Sequence, residues 1–381
     1  MVLYYWVMSD KPVIAIISVL KPVNDSRNYE KIAYTLAKEN KYKVYVIGQP
    51  VINYSEIHEN IGLHELPKLK RLSLKRLLVQ FQILQFLIKV KPKAIIANTH
   101  ELLEVTVLYK ILFGALIIYD IQENYYRNII YGHAFSGFIK WPVALVIRFR
   151  EVIFSLIFDH FILAEKCYET ELSFISSIKQ TLLDNKVLIP YEIKPNKIKG
   201  SKSTLKFIYS GTVAKEYGVF DAIQFVEQMN DFAEAELLII GYCANMKTTK
   251  LLREKISDKP YIKTIGIDSL VPHNQILNEL VDYDFSLLPY PDKLPYNTRI
   301  PTKIYECLFL QIPMILRPLD AWQELFNEYD GFLTWDFDQA DKEFMSRIRN
   351  ASFYTKQNIN KSRLEFESGK LVNLFSSFNL D

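Results

Sequence analysis

Glycine is scarce, 12 in 381 residues, and no GxGxxG or P-loop can be read anywhere, which argues against dinucleotide-dependent dehydrogenases and Walker-type ATPases. Cysteine is scarcer. Cys167, Cys243 and Cys307 lie far apart with no CxxC pair, which excludes a disulfide framework and fits a reducing compartment. The six histidines are scattered, none at metal-ligand spacing from another His, Cys or carboxylate, so no structural metal is expected. Charge of one sign is also lacking: 46 Lys and Arg stand against 43 Asp and Glu, a formal net charge of +3 that gives no bulk attraction to nucleic acid. The longest uncharged runs, such as Leu77–Ile88 and Val152–Phe158, fall short of the ~20 residues that span a bilayer. The opening MVLYYWVMSDKPVIAIISVL has no basic leader and is interrupted by Asp10-Lys11, so it reads as a first strand rather than a signal peptide. A cytoplasmic protein is expected.

What the chain does have is alternation. Its length suggests two domains of about 150–200 residues. Apolar runs VIAIISV (13–19), KVYVIG (43–48), AIIAN (94–98), LIIYD (116–120) and HFILA (160–164) are separated by helix-like segments such as Asn28–Asn40 and Leu72–Lys89. Continuous apolar strands between helices indicate a parallel sheet covered on both faces. From Asp184 to Ser203 the pattern stops in a stretch with two prolines, a glycine and many lysines, which reads as a linker. It restarts with LKFIYSG (205–211), AELLIIG (235–241), YIKTIG (261–266), DFSLLPY (284–290) and IPMIL (312–316). The expectation is α/β: two doubly wound Rossmann-like domains facing across a cleft, with boundaries at 1–195, 196–350 and a C-terminal helical segment at 351–381.

Ligands of open parallel sheets sit beyond the carboxyl ends of the strands. In the second half the loops there are GTVAKEYGVFDAI, with Gly211, Thr212 and Lys215; GYCANM, opening on Gly241; and PYPDKLPYNTRIPTK, running from Pro289 and Tyr290 to Lys303. Pro301 suits an early helical position, which places Arg299 and Lys303 near a helix N-terminus that favours anions. Glu306 follows one turn later on the face of Lys303 and suits a ribose diol. The same three residues also read as a solvated helix start with an i,i+3 Lys–Glu pair, worth about 0.2–0.5 kcal/mol. In the first half, Asp25 and Arg27 follow the first strand, Asp25 being equally an N-cap. His100 ends the strand AIIAN, and Glu123 rather than Asp120 is expected to face the cleft.

The segments YSGTVAKEYGVFDAI, LLIIGY, LVPHNQILNELVDYDFSLLPY and PTKIYECLFLQIPMIL followed by DAWQEL resemble, in order and spacing, the donor-nucleotide domain of GT-B glycosyltransferases of family 4. LKPVNDSRNYEKIAYTLAKENKYKVYVIG and IIANTHELLEVTVLYKILFGALIIYDIQENY resemble the acceptor-side half, and the similarity covers roughly residues 12–330. It implies transfer of a sugar from a nucleotide-sugar with retention and without a metal. Glu306 matches the second glutamate of an E-x7-E motif, whose first falls at Thr298. The Arg and Lys of the family's glycine loop fall near Thr212 and Tyr217, so Lys215, Arg299 and Lys303 are the remaining cations for the diphosphate. In a YDxHE pattern the His position is Gln122, followed by Glu123. Fold analogy also packs the C-terminal helix back on the first domain.

The resemblance therefore implies a retaining hexosyltransferase with Glu123, Arg299 and Lys303 as catalytic candidates. Gly211, Thr212, Lys215, Gly241, Tyr290, Thr298 and Glu306 would bind the donor, and Asp25, Arg27, His100 and Gln122 would lie on the acceptor side. The expected partners are a nucleotide-sugar and a glycan or lipid-linked acceptor, as in polysaccharide biosynthesis, with no nucleic acid and no cofactor. The basic, aromatic-rich segments at 66–93 and 136–161 point to peripheral contact on the inner face of the membrane. A non-catalytic GT-B partner subunit and a nucleotide-sugar epimerase are the alternatives.

Overall fold

The computed structural model describes the chain except residues 1–9, 52–56, 70–72, 74, 133, 134, 136, 187–192, 194–203, 340, 357–363 and 381. It divides into two compact units, one of residues 1–188 with 367–381 and one of residues 189–366. The division falls inside the stretch 184–203 read as a linker, most of which lies outside the described residues.

The first unit is built on seven strands: β1 Val13–Pro22, β2 Lys43–Gln49, β3 Ile61–Glu65, β4 Ala94–Ala97, β5 Leu116–Ile121, β6 His160–Leu163 and β7 Gln180–Leu182. All pair in parallel, in the order β3-β2-β1-β4-β5-β6-β7. Ile14 stands opposite Val44 on one side and Ala94 on the other, so β1 is central and apolar on both faces. One face packs under the helices Lys75–Val90, Leu103–Phe113 and Lys140–Ser155, and the other under Tyr29, Ile32 and Leu36. The C-terminal helix Leu364–Ser377 joins that second face: Leu371, Leu374 and Phe375 enter the core with Tyr42 and Ile162. Residues 351–366 instead belong to the second unit, so the 351–381 segment is shared between the two. Lys186 is 2.7 Å from the wholly buried Glu367 and closes the helix onto its sheet.

The second unit repeats the scheme with β8 Leu205–Ser210, β9 Ala235–Ile240, β10 Ile262–Ile265, β11 Phe285–Leu288, β12 Met314–Leu316 and β13 Phe332–Thr334, again all parallel, in the order β10-β9-β8-β11-β12-β13. Phe207 is opposite both Leu237 and Phe285, and its ring stacks on Phe285 at 5.8 Å. In each sheet the chain winds one way from the first strand and then returns to its other side. The order reverses between β1 and β4 in the first unit and between β8 and β11 in the second, and such switch points open a crevice at the strand ends.

Candidate functional site

At the switch point of the second unit, β8, β9 and β10 each run into a glycine: Gly211, Gly241 and Gly266, with φ of 91°, 148° and 89°. A Cβ on Gly241 would lie 1.6 Å from the Gly211 carbonyl oxygen, so no side chain fits between the two strand ends. A Cβ on Gly211 would lie 2.5 Å from Lys303 Cε. The glycine is thus the floor across which the lysine runs. The loop after Gly211 is pinned from below, because the buried Tyr209 hydroxyl donates to the Thr212 carbonyl at 3.1 Å.

Lys303 lies in the first turn of the helix Thr302–Leu310, whose N-cap Pro301 supplies no side-chain hydrogen bond. Its ammonium is 5.1 Å from the Tyr209 ring centroid and 5.7 Å from that of Tyr290. Desolvation lowers its pKa to about 8, against the raising influence of Glu306 and Cys307. Among the described residues no carboxylate comes within ion-pair distance of it. Glu306, one turn on, is 5% exposed and accepts a 2.8 Å hydrogen bond from His273 Nε2 at the start of the helix His273–Leu280. The solvated Lys–Glu pair that the spacing allows is therefore absent. The carboxylate is buried and held by a histidine, and the ammonium is desolvated against two aromatic faces.

Of the remaining second-unit candidates, Tyr290 faces the Lys303 ammonium. Tyr290 is buried between Tyr217, at 5.4 Å, and Trp322, at 6.0 Å. Its hydroxyl is pushed well above the usual phenol range, chiefly by desolvation and then by Tyr217 and Glu306. The Arg299 carbonyl accepts from Trp322 Nε1 at 2.7 Å, which fixes the backbone entering the helix. The Thr298 hydroxyl donates to the Pro295 carbonyl at 3.4 Å, while Thr212 and Lys215 are exposed on the glycine loop. Gly218 ends that loop in the left-handed region, where a Cβ would meet the Pro289 carbonyl oxygen at 2.1 Å.

The first-unit candidates are placed differently. Asp25 is an N-cap: its Oδ1 accepts from the Arg27 and Asn28 backbone N–H groups. Arg27 is 4% exposed, and its guanidinium is committed to Asp120 at 2.7 Å, the Leu183 carbonyl at 2.9 Å and Asn185 at 3.1 Å. Gln122 donates to Asp120 at 2.6 Å and accepts from Lys21. These three belong to one polar network at the ends of β1 and β5, in which Arg27 and Asp120 are buried and Asp25 and Gln122 half-buried. Glu123 is exposed and accepts from Asn128 at 2.8 Å. His100 packs edge-on against Tyr125 at 4.6 Å, and its pKa falls to about 4 through burial and the charges of Arg150 and Arg76. It is a neutral imidazole at physiological pH.

No protein-family model matches the chain, and no curated protein does either. Solved structures match at low identity. Sucrose-phosphate synthase from Thermosynechococcus elongatus is 12% identical, with 97% of this chain and 99% of that chain covered and a TM-score of 0.73. HepE of Anabaena, in complex with UDP and glucose, is 10% identical over 96% of this chain and 100% of that one, with a TM-score of 0.64. A putative UDP-N-acetylglucosamine 2-epimerase from Listeria monocytogenes is 11% identical over 97% of each chain, with a TM-score of 0.57. The fold is GT-B.

Within this GT-B chain, the second unit brings Gly211, Tyr290, Lys303 and Glu306 together with two residues that sequence reasoning missed. Tyr209 was hidden inside an apolar strand run. His273 stands in the quoted LVPHNQILNELV segment, where a proline–histidine pair at a helix start was the available signal. The structure offers no group of three or more His, Cys, Asp or Glu side chains suited to a metal ion among the described residues.

Proposed function

We propose that the chain is a retaining glycosyltransferase that takes its sugar from a nucleotide-diphosphate donor bound at the switch point of the second unit. The observation that carries this reading is Lys303. A desolvated ammonium with no carboxylate partner among the described residues, over a strand-end glycine and beside a helix start without a side-chain cap, is suited to receive an anion. A diphosphate fits that demand, with Arg299 and the glycine-loop N–H groups sharing its charge, and the Glu306 carboxylate suits a ribose diol one turn away.

During transfer the bond between the anomeric carbon and the diphosphate oxygen breaks while the acceptor oxygen bonds to the same carbon from the same face. The acceptor proton passes to the departing phosphate. Holding the developing diphosphate charge is an electrostatic task, and it falls to Lys303 and Arg299. The acceptor is proposed to be a polysaccharide or lipid-linked glycan. Donor binding is proposed to need no divalent ion, so calorimetry with UDP in excess chelator is expected to retain its heat.

A nucleotide-sugar epimerase is the second reading, favoured by one observation: His273 Nε2 lies 2.8 Å from the Glu306 carboxylate, a histidine–carboxylate pair of the kind proton transfer needs. Incubation with a panel of nucleotide-sugars, with and without glycan acceptors, separates the two. Released nucleoside diphosphate that rises with acceptor supports transfer; an isomerised nucleotide-sugar without acceptor supports epimerisation.

A further inference from the structure

The helix Lys140–Ser155 is amphipathic in the wrong sense for a soluble surface. Its inward face carries Ala144, Ile147, Glu151 and Ser155, whereas Trp141, Leu145, Phe149 and Ile153 face outward. Trp141 is 56% exposed and Phe149 63%. The outward positions extend the stripe from Phe138 before the helix to Leu156 after it, at the three- and four-residue steps of one helical face. The inward face is held by polar contacts: Glu151 accepts from the Tyr119 hydroxyl at 3.1 Å, and Arg148 donates to Asn124 at 2.6 Å. Packing of the body does not require the outward face to be apolar.

The neighbouring helix Leu103–Phe113, tied to Arg150 through Glu104 and the His100 carbonyl, exposes Ile111 at 72% together with Leu112 and Phe113. The helix Lys75–Val90 lies beside it on the same side of the sheet and exposes Leu78 and Phe81. Exposed apolar side chains gathered in this way on three neighbouring helices mark an interaction surface. Its charge identifies the partner. Between Leu66 and Lys93 the sequence holds eight Lys and Arg and no Asp or Glu, within a chain whose overall net charge is only +3.

We infer that this face of the first unit lies in the interface of an anionic lipid membrane, with the stripe from Phe138 to Leu156 in the acyl boundary and the exposed Lys68, Lys75, Lys89, Lys91 and Lys93 at the headgroups. No described helix is long and apolar enough to cross a membrane, so the helix lies in the plane of the surface. A second copy of the chain is the other occupant such a face could take. A two-fold interface would set the cationic segment of one copy near that of the other, which disfavours it. The inference stands apart from the proposed reaction, since it concerns a different surface and a readout without turnover.

The test is flotation of the purified chain with vesicles of phosphatidylcholine alone or mixed with phosphatidylglycerol. Binding is expected to the anionic vesicles at low salt, weakening at high salt because headgroup attraction is screened beyond about 10 Å at 0.1 M. The exposed pair Leu145→Ser/Phe149→Ser is expected to weaken binding by at least about tenfold, in line with loss of buried apolar area, with an unchanged melt. Trp141 emission is expected to shift to the blue on binding, a shift that Trp141→Phe removes. Failure to float with anionic vesicles at low salt overturns the inference. So does a concentration-dependent dimer, seen without vesicles, that Leu145→Ser/Phe149→Ser dissolves.

Discussion

His273 donates a 2.8 Å hydrogen bond to Glu306 across 33 positions of sequence, linking the start of the helix that follows β10 to the second turn of the helix that follows β11. The bond fixes the carboxylate, and one turn earlier Lys303 supplies the positive charge. With Glu306→Gln the amide oxygen still accepts from His273, so the shape and the melt are expected to survive. The charge-assisted bonds proposed to a ribose diol, roughly twice as strong as neutral ones, would be lost. Donor kcat/KM is expected to fall about ten- to a hundredfold, corresponding to 1–3 kcal/mol of poorly paired polar groups.

Lys303 gives the site a pH dependence. Its pKa of about 8 lies below the 10.5 of the exposed side chain, because burial disfavours the charged form. The unfolded chain therefore holds more protons than the folded one between about pH 8 and 10.5. The stability penalty is full below about 8 and is relieved as pH rises through that window. Binding runs the opposite way, since a diphosphate beside the ammonium favours its charged form. UDP affinity is expected to be level below about pH 8 and to weaken by up to about tenfold per pH unit above it. Calorimetry in buffers of different ionisation enthalpy should register proton uptake there, and Lys303→Ala should abolish it.

Two glycines separate binding from folding. In Gly211→Ala the new methyl meets the flexible end of Lys303, at φ 91°, so donor affinity is expected to fall with a stability loss of about 1–3 kcal/mol. In Gly241→Ala the methyl meets backbone at Gly211, which cannot give way. That variant is expected to melt lower than Gly211→Ala, and differential scanning calorimetry of the two side by side checks the order.

Apart from the edge strand β10, the strands that the apolar runs revealed are those inside the sheets, where valine, isoleucine and leucine are nearly continuous. The three strands without such a signal, β3, β7 and β13, are all at sheet edges, and their sequences IGLHE, QTL and FLT carry few apolar residues in a row. The donor-side candidates were legible because glycines, a proline and the Arg299–Lys303–Glu306 spacing lie at strand ends in sequence. Partners distant in sequence were not: nothing local tells that Arg27 reaches Asp120, or that Glu306 meets His273 rather than Lys303. A buried arginine and a solvated one look alike in the string of letters.

Arg27, buried and paired with Asp120, supplies a stability prediction. Removing one partner of a buried ion pair leaves the other charge uncompensated, at a cost of about 3–5 kcal/mol. Arg27→Ala is expected to lower the melting temperature sharply, and Asp120→Ala to do the same. Equal melts for wild type and Arg27→Ala would show that the guanidinium is not the anchor of the β1–β5 network.

The most direct test of the central claim is calorimetric titration of UDP, in excess chelator at pH 7, into the wild-type chain and Lys303→Ala. UDP is expected to bind the wild type and to lose at least about tenfold in affinity for the variant, as for a charge-assisted contact removed from a desolvated site. Equal UDP affinity in the two proteins, with Lys303→Ala folded, would contradict it.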